Sequence, residues 1–331
     1  MKIGKILSLT ACSVLAGSLY AGSSTMNFAN VYEKECQGCH GPIHQGGVGS
    51  DLRPDALKKK ERHVLRDAIM NGVPNTAMPQ WQHMFSKDDA DGMVDWLMDW
   101  KDNTNFKLNL EEIKGTWTKL ADREELAKKY PNAVDTKSVL DVTFATERDA
   151  SLVDFIDSTN GKVLSRHKAG FAVHVTVTNK TNPRYAYSIS RSGRLTMFDI
   201  AAPGQPAIAS VQVGFESRGL AVSPDGKYVI AGNYTPGGAV LCDAMTLEPL
   251  KAYDTSAVIN TEGQIEASRV ASLADTPYGP YFAMALKDAG RVYLIDYSKP
   301  GFPIVGDVPN IGKVLHDAFL NEDEGKDFGR Y

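Results

Sequence analysis

The sequence is poor in cysteine, has no large excess of either charge, and holds no apolar run long enough to span a bilayer. Each absence excludes something. Four cysteines in 331 residues, one of them in the N-terminal segment and two in a single short motif, leave no disulfide framework. The remaining one, Cys242, lies in the apolar run Ala239-Val240-Leu241-Cys242 and reads as a buried, inert thiol. A formal net charge of −4 gives no reason to expect nucleic acid as a partner. The length suits two domains better than one small one.

What is present begins with a secretory signal over residues 1–21. Lys2 and Lys5 form its charged start. The stretch from Ile6 to Leu19 is mostly apolar and too short to cross a membrane, and Leu19-Tyr20-Ala21 resembles a small-residue cleavage site. Leu9-Thr10-Ala11-Cys12 also resembles a lipoprotein box that would lipidate Cys12, but the apolar run continues past it. Export to the periplasm is expected, with no membrane span.

The chain is organised around Cys36-Gln37-Gly38-Cys39-His40. Two thiols on one helical turn can add to the two vinyl groups of a porphyrin, and the adjacent histidine then sits under the iron. Covalent haem c on Cys36 and Cys39, with His40 as axial ligand, is the expectation. A thioredoxin-like CxxC is the competing reading, and the histidine directly after the second cysteine speaks against it.

Helical patterning surrounds this motif over residues 22–105. Phe28, Val31 and Tyr32 precede it at helix-like spacing. Val64, Leu65, Ala68 and Ile69 form a second stripe ended by Gly72. Ser86, with Asp89 three residues on, reads as the N-cap of a last helix whose inner face is Met93, Val94, Leu97 and Trp100. This arrangement resembles a class I cytochrome c. The second axial ligand is expected between the second and last helices, and Met78, in Ala77-Met78-Pro79, is favoured over Met84. His44, His63 and His83 are rivals with a plainer role as surface or hydrogen-bonding histidines. Residues 106–137 read as a charged linker with one helix from Arg123 to Lys129 ended by Pro131. Trp117 is its expected anchor.

From 138 to 331 the period changes to strands. Four runs end in aspartate at Asp157, Asp199, Asp243 and Asp296, at the spacing of propeller blades. Ser223-Pro224-Asp225-Gly226-Lys227-Tyr228 is a turn between strands. Four blades and part of a fifth are read here, with a new strand starting at Asp327-Phe328-Gly329-Arg330-Tyr331. A propeller must close its ring, so the sequence is expected to be an incomplete reading frame. A closed four-bladed ring is the alternative. The fold class expected is mainly β with an all-α N-terminal domain.

Ala169-Gly170-Phe171-Ala172-Val173-His174-Val175, Gly214-Phe215-Glu216-Ser217-Arg218, Ser268-Arg269-Val270-Ala271 and Val314-Leu315-His316-Asp317 resemble, in order, segments of the cytochrome cd1 nitrite reductase family. The resemblance covers about 26 to 331. It implies an eight-bladed propeller, present here in part, holding non-covalent haem d1 on its axis. It makes His174 the d1 iron ligand. It gives Arg148, Arg191 and Arg218, with Arg269, the haem carboxylates, and places His316 beside the substrate. Alone, His174 in an apolar strand reads as a satisfied core histidine. The family's second distal histidine, in a His-Pro-Gly context, and its N-terminal tyrosine arm have no clear match in the sequence.

The function implied is reduction of nitrite to nitric oxide and water. A small periplasmic donor, a c-type cytochrome or cupredoxin, would supply electrons, and the protein would be a homodimer. The dihydro-haem d1 dehydrogenase that finishes haem d1 synthesis shares the plan. Leu220-Ala221-Val222-Ser223-Pro224-Asp225-Gly226 and Ala285-Leu286-Lys287-Asp288 resemble it equally. A third reading is a cytochrome fused to a propeller that only binds a partner protein.

Overall fold

The computed structural model describes residues 26–41, 44, 46, 49–100, 108–276 and 278–317. Residues 1–25, with the expected signal over 1–21 and Cys12, and the strand expected at 327–331 lie outside the described residues. No described helix is long and apolar enough to cross a membrane.

The helical part comes first. α1 (Phe28–Val31) runs through a π-helical stretch (Tyr32–Cys36) into α2 (Gln37–His40), followed by α3 (Pro54–Leu57), α4 (Arg62–Asn71) and α5 (Lys87–Asp99). The start of α5 is set by a reciprocal cap. The Ser86 hydroxyl accepts from the Asp89 amide at 3.1 Å, and the Asp89 carboxylate accepts from the Ser86 amide at 3.0 Å. Ala90, Met93, Val94 and Leu97, spaced at helical period, are buried on its inner face. Ala90, Met93 and Leu97 pack with Tyr32, Leu57 and Phe85 in one core, each large side chain contributing roughly 1.5–3 kcal/mol.

The linking segment is more than a solvated face. α6 (Leu110–Gly115) buries Ile113 in the core of the following sheets. The Trp117 indole Nε1 donates to the Thr246 carbonyl at 2.9 Å, tying the segment to a strand turn far along the chain. β1 (Thr118–Lys119) joins the edge of a sheet, and α7 (Arg123–Lys129) has the bounds read from the sequence.

The rest is antiparallel sheet: β2 (Val142–Glu147), β3 (Leu152–Asp157) and β4 (Lys162–Lys168); then β5 (Val173–Thr178), β6 (Tyr185–Ser190), β7 (Arg194–Asp199) and β8 (Ala207–Gln212), with β1 added outside β8; then β9 (Glu216–Val222), β10 (Tyr228–Thr235), β11 (Gly238–Asp243) and β12 (Pro249–Asp254). A small hairpin, β13 (Val258–Ile259) with β14 (Ile265–Glu266), precedes the last sheet, β15 (Val270–Asp275), β16 (Tyr281–Leu286), β17 (Arg291–Asp296) and β18 (Ile304–Val308). Within each sheet sequential strands pair, and β5, β9 and β15 lie side by side from sheet to sheet. This is a propeller-like arrangement of four blades, with those three strands innermost.

The recurring aspartates have a local structural cause. Each ends a strand and turns its carboxylate onto amides two or three residues ahead. Asp157 accepts from Thr159, Asp199 from Ala201 and Ala202, Asp243 from Met245 and Thr246, and Asp296 from Ser298. Asp199, Asp243 and Asp296 end the third strand of their sheets, whereas Asp157 ends the second. By that register, β2 to β4 are the second to fourth strands of the first blade. Among the described residues its innermost place is not filled.

Candidate functional site

The helices enclose a cavity of about 530 Å³ whose walls include Cys36, Cys39, His40, Leu65, Ile69, Met78, Phe85 and Met93. His40 is positioned tightly. Its Nδ1 donates to the Ser50 carbonyl at 2.7 Å, which leaves Nε2 unprotonated. A Cβ at Gly49 would lie 2.7 Å from the ring, so only glycine permits this approach. Burial lowers the pKa of His40 and keeps it neutral. Burial also pushes the Cys36 thiol up to about 11 and raises that of Cys39. Neither is disulfide-bonded.

Met78 lines this cavity, and its carbonyl accepts from the Val73 amide at 3.2 Å just after the Gly72 turn. Met84 is 38% exposed and is not in the cavity wall. The rival histidines are elsewhere. His63 pairs with Glu61 at the surface and His83 stacks on Trp81. His44 is buried among the rings of Tyr32, Trp96 and Trp100, with no hydrogen-bond partner for Nδ1. Burial, helped by the neighbouring His40, pushes the pKa of His44 down to about 4. The fold therefore holds it neutral while the unfolded chain protonates near 6.5. That stability is complete above pH 6.5 and is lost as pH falls towards 4. Thermal unfolding of the cytochrome domain is expected to shift down between pH 7 and pH 4.5, and a His44→Leu protein is expected to show a smaller shift.

In the sheets, strand direction decides which residues meet. Turns from second to third strands, and connections entering first strands, open on one rim. Arg148 and Arg191 follow β2 and β6. His174, Arg218 and Arg269 stand at or just before the starts of β5, β9 and β15. Hydrogen bonds link neighbouring segments, from Arg191 to the Ala172 carbonyl, Ser217 to that of Arg191, and Lys287 to that of Arg269. His174 Nδ1 donates to the Arg218 carbonyl at 3.2 Å. The His174 side chain is exposed, and partial desolvation, then the charges of Arg218, Arg191 and Arg148, lower its pKa.

The rim is cationic. Glu216 receives both Arg191, at 2.9 Å, and Arg218, at 3.2 Å. Arg218, Arg269 and Lys287 gather over the ring of Tyr234, with the Arg218 guanidinium 4.4 Å from its centre. Arg269 is engaged by Asp288 at 2.5 Å, so its charge is largely answered within the protein. Arg218 Nε is buried without a partner. Glu216 and Lys287 lie in segments that carry the resemblance but take no role from it, and nothing local in the sequence distinguishes Tyr234. His316 comes near through its neighbour, as the Leu315 amide donates to the Lys287 carbonyl at 3.1 Å. Its side chain is exposed, with Nδ1 3.0 Å from the Asp317 carboxylate. The acidic residues beyond it, Glu322, Asp323 and Glu324, lie outside the described residues.

Residues 137–328 match the cytochrome D1 heme domain family. This chain belongs to that family. Residues 24–97 match the family described as cytochrome C oxidase, cbb3-type, subunit III. A nitrite reductase from Stutzerimonas stutzeri is 27% identical over 291 residues, 81% of this chain and 50% of its own length. A dihydro-heme d1 dehydrogenase from Pseudomonas aeruginosa is 26% identical over 313 residues, 95% of this chain and 61% of its own. The solved structure of dihydro-heme d1 dehydrogenase NirN in complex with DHE matches with a TM-score of 0.61 at 27% identity, covering 85% of this chain and 58% of that one. The chain thus spans half to three-fifths of the length of these relatives.

For a member of the cytochrome D1 heme domain family, the residues present fit the groups that the two domains imply. The helical cavity offers thiols, a neutral imidazole and a thioether among apolar walls, a donor set suited to haem c. The propeller rim offers a neutral imidazole and an excess of guanidinium, one with a free buried donor, suited to a carboxylate-bearing macrocycle.

Proposed function

We propose that this chain acts as a periplasmic oxidoreductase of the dihydro-haem d1 dehydrogenase type. The observation that carries this reading is the match to the solved dehydrogenase structure over 85% of the chain, together with the 95% coverage by its curated relative. The substrate tetrapyrrole would lose a pair of hydrogens as protons and electrons, and the electrons would leave through the cytochrome domain. Haem c, when bound, supplies a one-electron relay. Cys36 and Cys39 would attach it, and His40 and Met78 would supply its iron ligands. His174 would face the tetrapyrrole iron, while Arg148, Arg191 and Arg218 hold its carboxylates. Arg269 contributes less, because Asp288 occupies it. A small c-type cytochrome or cupredoxin would exchange electrons at the haem c edge of a homodimer.

His316 is assigned the proton-handling role. Its pairing with Asp317 orients Nδ1 and leaves Nε2 for substrate. General acid–base catalysis is worth roughly 10²–10⁴-fold, so His316→Ala is expected to lower turnover by about that much with both tetrapyrroles still bound. A loss under about tenfold would count against the role.

A second reading, NO-forming nitrite reductase, is supported by the 27% identity to the Stutzerimonas stutzeri enzyme. In it His316 donates the proton for N–O cleavage and the arginines draw in the anion. The two separate in one anaerobic experiment. Adding dihydro-haem d1 to oxidised protein is expected to reduce haem c and yield haem d1. Nitric oxide formed from nitrite and a reduced donor, with no reduction of haem c by dihydro-haem d1, would reverse the order of the readings.

A further inference from the structure

We propose that the seating of Gly38 on the ring of Phe171 sets the geometry for electron transfer between the cytochrome and the propeller. This rests on the two-tetrapyrrole reading above but is indifferent to which substrate is turned over. Gly38 lies between the two cysteines of the attachment motif. Phe171 lies three residues before His174, in the connection entering β5. An added Cβ at Gly38 would fall 2.5, 2.6 and 2.9 Å from Cδ2, Cε2 and Cγ of the Phe171 ring. The chain at position 38 therefore rests directly on the ring, and glycine alone permits that distance.

The ring cannot rotate out of the way on its own axis, because Cγ is among the close atoms. Its backbone is held on both sides. The Phe171 amide donates to Ser192 Oγ at 3.1 Å, and the Ser192 amide donates to the Phe171 carbonyl at 3.4 Å. A second feature runs beside the contact. Cys39 shares a cleft with Arg191 and Glu216. Arg191 pairs with Glu216, Glu216 pairs with Arg218, and the Arg218 carbonyl accepts from His174. The attachment turn and His174 are thus related by one packed contact and by one polar chain that begins at Arg191, across the cleft from Cys39. Tunnelling falls off exponentially with distance and with gaps in packing, so loss of this seating slows transfer without touching either set of ligands.

The test is flash photolysis of carbon monoxide from the mixed-valence holoprotein, with electron arrival followed in the haem c bands. A misplacement of about 1 Å can cost about 10²-fold in a geometry-dependent step. Phe171→Ala and Gly38→Ala are each expected to slow transfer at least about tenfold, while both absorption spectra and tetrapyrrole contents stay as in the wild type. Phe171→Tyr keeps the ring and should keep the rate. The Gly38→Ala/Phe171→Ala pair should lose no more than the worse single variant, because both act through one contact. Independently of any turnover, hydrogen exchange of residues 169–173 in protein carrying haem c alone is expected to quicken in Gly38→Ala. Transfer within about twofold of wild type in Phe171→Ala, or additive losses in the double variant, would overturn the inference. Wild-type protein that takes up no tetrapyrrole in its propeller would overturn the two-tetrapyrrole reading with it, whereas loaded wild type with unaffected variants would overturn this inference alone.

Discussion

A His174→Ala protein is expected to lose the tetrapyrrole of its propeller and keep haem c. The side chain is held by the Arg218 carbonyl at Nδ1, and partial desolvation and the neighbouring arginines lower its pKa and so favour the neutral ring. A neutral imidazole with Nε2 free is the state that binds iron. Substituting alanine leaves Arg148, Arg191 and Arg218 to hold carboxylates, but removes the contact that fixes the macrocycle's centre. Even loss of an outer partner to a metal ligand costs roughly 10–100-fold in affinity, so loss of the ligand itself should exceed that. Acidified acetone releases a non-covalent tetrapyrrole and leaves covalent haem behind. The extract of His174→Ala should be nearly colourless and its haem c bands unchanged. Normal extractable content would remove His174 from the ligand set. An empty extract from the wild type would instead favour a propeller that only binds a partner protein.

The second large effect belongs to Met78. The cavity in the helical part takes Met78 into its wall and leaves Met84 at the surface. A methionine opposite His40 raises the potential of haem c. Met78→Ala is therefore expected to abolish the sulfur-to-iron charge-transfer band at the red end of the oxidised spectrum and to lower the haem c potential, with haem still attached through Cys36 and Cys39. Met84→Ala should change neither. The reverse pattern would exchange the two assignments.

Features specified by neighbours within a few residues were legible in the sequence alone. The attachment motif needs only two thiols and an imidazole on adjacent turns. The Ser86–Asp89 cap and the 123–129 helix are decided within one or two turns of chain. The recurring aspartates are visible because each satisfies amides two or three residues ahead, so every blade repeats them. Tertiary structure alone decided the rest, because it depends on groups tens of residues apart. Pairing showed that Asp157 ends a second strand while its counterparts end third strands. Strand direction brought Arg148, His174, Arg191 and Arg218 to one rim, and Tyr234 and Glu216 with them. Asp288, nineteen residues from Arg269, turned a candidate carboxylate clamp into half of an internal ion pair. Phe171 met Gly38 across more than a hundred residues of chain. No spacing rule encodes that contact, since it exists only where two surfaces distant in the sequence meet.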